Sequence, residues 1–246
     1  MMKPDANRDE ILRRVRTAVA NPALAADRTP LGEIGFLGET RFLDQGEVGF
    51  LRETRLLDLL TRWQAEFTAL GGHAYGPLAP AAAVSQTLAL LAARGVTAVA
   101  AWEDHTLPVP ALSQALAAAG IEVMHAQRQS QGDAVARTQL ARVPMGITTA
   151  LAGLADTGSV VVDSGSGRAR NASLVPPTYL AFLRTSDIYP DLPAWMAQQG
   201  AGLLPQTANL VIITGPSRTA DIELTLVVGV HGPGEIHVIL VDPEAR

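Results

Sequence analysis

The sequence predicts an α/β fold with a mostly parallel central sheet flanked by helices. The first observation behind this is a rhythm: helical spacing over 80–94, an apolar run over 96–101, helical spacing over 111–119 and a second run over 121–125. That is the order of βαβ units. The second is that these runs lack period-two alternation and the intervening helices are rich in alanine, which suits strands covered on both faces by closely packed helices. Right-handed crossovers follow by default.

Composition sets the outer limits. With 246 residues, 48% hydrophobic and 17% charged, the chain can bury roughly 70–75% of its unfolded surface in one core. The net charge of −5 leaves no overall basic footprint, so nucleic acid is not expected as a partner. The absence of cysteine excludes disulfides, thiolate zinc sites, cysteine-ligated iron–sulfur clusters and a cysteine nucleophile within this sequence. The first ten residues, MMKPDANRDE, are charged, without the apolar segment of a signal peptide, and no run of 18 uninterrupted apolar residues occurs. A cytoplasmic protein without membrane insertion is expected.

Residues 5–20 read as an amphipathic helix, starting at Asn7 or Asp9, with Ile11, Leu12, Val15 and Val19 on one face and Arg13, Arg14 and Arg16 on the other. A tandem repeat follows, GEIGFLGETRFLDQ at 32–45 and GEVGFLRETRLLDL at 46–59, with ten of fourteen positions identical. Its period is too short for a solenoid. The first copy is either a flexible insertion or an arm exchanged between chains, and Phe36, Leu37, Phe42 and Leu43 favour the arm because they are costly to leave in water. The second copy runs into a helix whose apolar face includes Leu56, Leu60, Trp63, Phe67 and Leu70, ended by Gly71-Gly72. The expected organisation is an N-terminal helix and repeat arm over 1–60 and an α/β domain over 61–246.

Beyond the βαβ units, a polar loop over 127–133 leads to a helix over 134–141. Residues 146–155 read as helix, 160–163 as strand, 164–170 as a glycine loop, 179–183 as strand, and 190–199 as a surface helix with Trp195 and Met196 turned inward. In the closing segment, the apolar run Leu210, Val211, Ile212, Ile213 reads as a strand covered on both faces. Gly215 then permits a tight turn, Pro216 fixes one φ and Ser217 can cap a helix. Ile222, Leu224, Leu226, Val227, Val228 and Val230 make that expected helix apolar nearly all round, with His231 at its C-terminal end.

Two sets of side chains are candidates for ligand binding. Ser217 and Arg218 would stand at the start of the closing helix, where anions bind, with Asp221 three residues beyond Arg218 to orient it and Glu223 in support. The simpler alternative is that these acidic residues only favour the helix N-terminus. Gly165, Gly167, Arg168 and Arg170 form a Gly/Ser loop able to close on a carboxylate or phosphate; the alternative is a solvated connection. The loop is no dinucleotide fingerprint, because Arg170 stands where a third glycine is needed and Pro176-Pro177 follow instead of a long helix. Thr157, in ADTGS at 155–159, either donates to a ligand or belongs to a turn. The sequence has no Walker A, no G-x-S-x-G elbow and no H-E-x-x-H. Glu103-Asp104-His105 is its only tight carboxylate–histidine cluster, read as a polar loop after a strand.

The blocks TGPSRTADIE at 214–223, GVHGP at 229–233 and HVILVD at 237–242, together with GIT at 146–148, ADTGS and SGSGRAR at 164–170 in the same order, resemble the lactate utilization protein C family, whose domain is called the LUD domain. The resemblance implies a three-layer sandwich like that of sugar-phosphate isomerases and CoA transferases. It also implies a component of a bacterial system oxidising L-lactate to pyruvate with separately encoded iron–sulfur proteins. This sequence would then be the cluster-free, non-redox subunit, with no cofactor of its own, and Arg168, Arg170, Gly215, Ser217 and Arg218 would hold a small carboxylate or phosphate-bearing ligand. The alternatives are a stand-alone enzyme acting on an acyl, phosphate-ester or nucleotide-linked substrate, and a non-catalytic assembly protein. A homo-oligomer is compatible with each.

Overall fold

The computed structural model describes residues 45–125, 142–203, 207–220, 226–228 and 232–245. The expected helices over 5–20 and 134–141, the first repeat copy before residue 45, the loop over 127–133, and Asp221, Glu223 and His231 lie outside the described residues. By backbone contacts the chain divides into two compact units, Met1–Val48 and Gly49–Arg246. Only the last four residues of the first are described, and they are helical.

The first element is α1 (Gln45–Ala69), which contains the second repeat copy and runs unbroken through position 60. Its buried face carries Leu60, Trp63 and Phe67, spaced three and four apart as an amphipathic helix requires. Trp63 and Phe67 stack with centroids 4.9 Å apart, and the Trp63 indole N–H donates to Ser159 O at 3.0 Å. Then come β1 (His73–Leu78), α2 (Pro80–Ala93), β2 (Ala98–Ala101), α3 (Leu112–Ala118) and β3 (Glu122–His125). Pro80 opens α2, at the one helical position where its missing N–H is harmless. The predicted βαβ rhythm is thus present, with ends shifted by one or two residues.

The chain continues through β4 (Met145–Thr149), β5 (Ala152–Leu154), β6 (Ser159–Ser164), α4 (Asn171–Leu174), β7 (Thr178–Arg184), β8 (Ile188–Tyr189), α5 (Leu192–Trp195), β9 (Asn209–Ile213), β10 (Arg218–Ala220), β11 (Leu226–Val228) and β12 (Glu235–Val241). Six strands form a parallel sheet in the order β1-β12-β7-β4-β2-β3. Its centre is apolar apart from His237: Leu180, Ala181, Phe182 and Leu183 on β7 and Ile236, Val238, Ile239 and Leu240 on β12 have no exposed surface. The α/β class with a parallel central sheet is therefore as expected. A second sheet, β8-β5-β6-β9, and a β10-β11 ribbon accompany it, and Trp195 packs with Ala152, Leu154 and Val161 in a separate small core.

Three expectations are corrected. Residues 146–155 are strands β4 and β5 rather than helix; Ile147, Thr148 and Thr149 are β-branched and pair in register with Leu180, Ala181 and Phe182 of β7. The apolar stretch after Ser217 is not a helix at 218–220 or 226–228, where it forms an antiparallel ribbon pairing Arg218 with Val228 and Ala220 with Leu226. The signal for this was present, because Thr219, Asp221, Glu223 and Thr225 alternate with Ala220, Ile222, Leu224 and Leu226 at the period of two that marks a strand. The strand β9 is not covered on both faces. It is an edge strand paired only with β6 among the described residues, and Ile212 is 42% exposed. The helix expected over 190–199 is present, from Leu192 to Leu203, with Trp195 buried; it is capped by the Asp191 carboxylate accepting from Ala194 N at 2.7 Å and is π-helical over Met196–Gly200.

At the amino-terminal edge of the parallel sheet a polar network fills the space between β1 and β12. His237, fully buried, meets Tyr75 OH through Nδ1 at 3.1 Å, while its Nε2 lies 3.0 Å from Glu235 Oε1 and 3.1 Å from Arg94 Nη2. Arg94, at the C-cap of α2, pairs closely with Glu235. His73 stacks on His237 with centroids 4.9 Å apart.

Candidate functional site

In an open parallel sheet, ligands bind outside the carboxyl ends of strands, where neighbouring strands send their connections in opposite directions. Here that point lies between β2 and β4. They are adjacent, with Ala101 beside Ile147, yet β2 leads outward to β3 while the next sheet strand after β4 is β7 on the other side. The residues following β2 are Trp102, Glu103 and a 3-10 turn, Asp104–Thr106.

These residues are held from several sides. Trp102 N donates to Ile147 O at 3.1 Å, Thr149 Oγ1 donates to Thr106 O at 2.9 Å, and Asp104 Oδ1 accepts from Ser113 N at 3.2 Å and Ser113 Oγ at 2.6 Å. Asp104 thus satisfies an N–H of the first turn of α3, as a capping carboxylate does. The result is a cleft of about 390 Å³ lined by Glu103, Asp104, His105, Ser113 and His125. Glu103 Oε2 lies 3.4 Å from His105 Nδ1, with the side chains 41% and 70% exposed. A carboxylate beside one imidazole nitrogen orients the ring and leaves the other nitrogen to exchange a proton.

The glycine loop reaches this cleft from β6. Residues 165–168 form a tight turn closed in both directions, Gly165 N to Arg168 O at 3.0 Å and Arg168 N to Gly165 O at 3.1 Å, with Gly167 at φ +70°. Trp102 Nε1 donates to Ala169 O at 3.1 Å, and Glu103 N donates to Gly167 O at 3.3 Å. A Cβ on Gly167 would stand 3.3 Å from His105 Cε1 and 3.4 Å from the Glu103 carboxyl. The positive φ favours glycine there, and a side chain would press on the exposed ends of His105 and Glu103.

The Arg168 side chain is engaged within the loop. Its Nη2 lies 2.8 Å from Oδ2 of Asp163 on β6, whose side chain is 1% exposed. The contact is chiefly one of charge, since neither Asp163 oxygen nor Arg168 Nε has a well-aligned hydrogen bond, although Arg168 and the Thr207 hydroxyl both stabilise the carboxylate. Burial pushes the Asp163 pKa up, against the downward pull of the Arg168 charge. Arg170, two residues on, is exposed at the start of α4.

The other predicted residues lie elsewhere. Thr157, Ser159 and Thr214 form a hydroxyl chain, Ser159 Oγ to Thr157 Oγ1 at 2.8 Å and Ser159 Oγ to Thr214 Oγ1 at 2.7 Å. This chain joins ADTGS to TGPS at the start of β6 and the end of β9. Gly215, at φ +88°, packs on Leu70, and Ser217 N donates to Pro233 O at 2.8 Å, so Ser217 caps no helix. Gly165, Gly167, Arg168 and Arg170 follow the opposite end of the six-residue strand β6, roughly 16 Å away at about 3.3 Å per residue. The sequence-predicted set therefore divides into two groups. Ser113 and His125 belong to no motif; only the place of Ser113 in the first turn of the predicted helix over 111–119 and that of His125 at the carboxyl end of a predicted strand could have pointed to them. Among the described residues, no group of three or more His, Asp or Glu is arranged to hold a metal ion.

The model of the LUD domain matches residues 60–241. The chain belongs to the LUD domain family. Among its relatives, the lactate utilization protein C of Macrococcus caseolyticus is 42% identical over 105 residues, 41% of this chain and 45% of the relative. That of Shouchella clausii is 34% identical over 156 residues, 60% of this chain and 64% of the relative. The matched stretch thus spans less than two thirds of either relative. The crystal structure of a DUF162 family protein from Deinococcus radiodurans superposes on this LUD domain with a TM-score of 0.51 at 18% identity, covering 76% of this chain and 98% of that one. At that identity the likeness is one of fold.

Proposed function

We propose that this LUD domain chain is a component of an L-lactate utilization system and holds a small carboxylate in the cleft at the carboxyl ends of β2, β3 and β4. The observation that carries the site is the packing of Gly167 against the Glu103–His105 pair at the strand-order switch. The metabolic context rests on the relatives named lactate utilization protein C. In the cleft, the Asp104 carboxylate is occupied by Ser113 and the Glu103 carboxylate faces His105, which leaves His105 and His125 as donors to an anion. Arg170 supplies an exposed guanidinium on the same loop. Because the sequence contains no cysteine, clusters with cysteine ligands would reside in partner iron–sulfur proteins, and this chain would bind and orient the carboxylate for them.

The test is L-lactate oxidation with an artificial electron acceptor, using this chain and its iron–sulfur partners together and each omitted in turn. Activity should require this chain and fall about 10- to 100-fold in His105→Ala, the loss of one hydrogen bond to a charged ligand. Undiminished activity without this chain would exclude it from the system.

A further inference from the structure

We propose that Asp163 is a positioning residue for the cleft: through Arg168 it holds the 165–168 turn so that Gly167 stays against Glu103 and His105. The fold itself does not call for a charge at this place. β6 is held by its backbone pairing, from Val160 with Ile213 to Ser164 with Asn209, and by the buried side chains of Val160, Val161 and Val162. Asp163 interrupts that apolar series with a carboxylate whose oxygens make no well-aligned hydrogen bond, and a buried, half-satisfied ionic group lowers stability rather than raising it. What the carboxylate reaches, besides the Thr207 hydroxyl, is the charge of Arg168, five residues on, at the far side of a turn containing Gly165, Ser166 and Gly167.

Two glycines make that turn soft, because each admits backbone angles closed to other residues. The turn has two reciprocal backbone bonds of its own and meets the carboxyl end of β2 through the single bond that Glu103 N donates to Gly167 O, with Trp102 Nε1 donating to Ala169 O just beyond it. A charge tether from the rigid end of β6 selects one arrangement among those the glycines allow. The arrangement selected is the one that places Gly167 O on Glu103 N and sets Gly167 against Glu103 and His105, two of the residues that line the cleft. The importance of this support for ligand binding rests on the function proposed above, whereas the tether itself can be tested without any ligand.

The experiment uses the full chain as wild type, Asp163→Asn, Arg168→Gln and Arg168→Lys. Amide hydrogen exchange is followed at Gly165 and Arg168, and the imidazole resonances of His105 by NMR. Both neutralising variants should speed exchange of the two turn amides by about ten-fold or more while Val161 keeps its protection. The His105 resonances should shift in both, and Arg168→Lys should lie closer to wild type. A role limited to global stability would move none of these signals in the folded state. Wild-type turn exchange and an unmoved His105 in either neutralising variant would overturn the proposal. If one variant fails to fold, the other decides by the same two readouts. A lactate system that proves independent of this chain would leave these signals as expected, so the two failures are separable.

Discussion

His237 has no exposed surface and is approached by Tyr75, Glu235, Arg94 and His73. Burial pushes its pKa down from 6.5 to about 4, the Arg94 charge acts in the same direction and Glu235 opposes. The folded chain therefore refuses a proton that the unfolded chain accepts, and stability present above pH 6.5 is lost as the pH falls toward 4. The loss should reach about 3 kcal/mol. Glu235, held below the usual carboxylate range by its hydrogen bond with Arg94, adds a loss of the same sign. Thermal unfolding between pH 7 and pH 4 should show a falling Tm, with a shallower slope in His237→Gln; a slope unaffected by that substitution would remove His237 from the explanation. Asp163 has the opposite sign. Its raised pKa makes the folded state more stable when it is protonated, and this contribution is lost as the pH rises through that pKa. Asp163→Asn should accordingly leave urea-unfolding stability unchanged or higher. Arg168→Gln strands a buried carboxylate and should cost about 3 kcal/mol, at the low end for such a pair because Arg168 is part-exposed.

At the scale of elements, the glycines show which turns and contacts are indispensable. A Cβ on Gly146 of β4 would stand 1.7 Å from Ala172 O of α4, a backbone atom that cannot swing away, whereas a Cβ on Gly202 would meet nothing within 4 Å. Gly146→Ala should therefore destabilise by about 3 kcal/mol or more through overpacking and backbone displacement. Gly202→Ala should be neutral or slightly stabilising; equal midpoints in urea would contradict the close approach of α4 to the sheet. The elements also show how much was legible in the sequence. The βαβ rhythm from Pro80 to His125 was, because alternating apolar runs and alanine-rich helices have few other solutions. The helix bearing Trp63 and Phe67 was legible from spacing alone. The strands β4 and β5 were not, because short apolar runs of three to five residues carry too little periodicity to separate helix from strand, whereas the ribbon of β10 and β11 was legible in the period-two alternation from Thr219 to Leu226. The glycine loop was recognised, but its contact with Glu103 and His105 depends on strand order, which local pattern does not encode. Arg168 looked like a free cation because its partner, Asp163, reads in sequence as the end of an apolar strand.

At the scale of the molecule, the LUD domain joins two arrangements. The parallel sheet opens a cleft at its strand-order switch, and the second sheet carries the glycine loop to it along β6. The same strand carries ADTGS away from the cleft to meet TGPS, so ADTGS and the glycine loop stand at opposite ends of one strand. Thr157, Gly215 and Ser217 would then support the packing of β6, β9 and α1, and the cleft would be the ligand site. An NMR titration of the full chain with L-lactate and with pyruvate separates the two ends most directly. Saturable shifts of the His105 and His125 imidazoles and the Gly167 amide, lost in Glu103→Gln, are the expected result. Shifts confined to Thr214 and Gly215, with His105 unmoved, would contradict it.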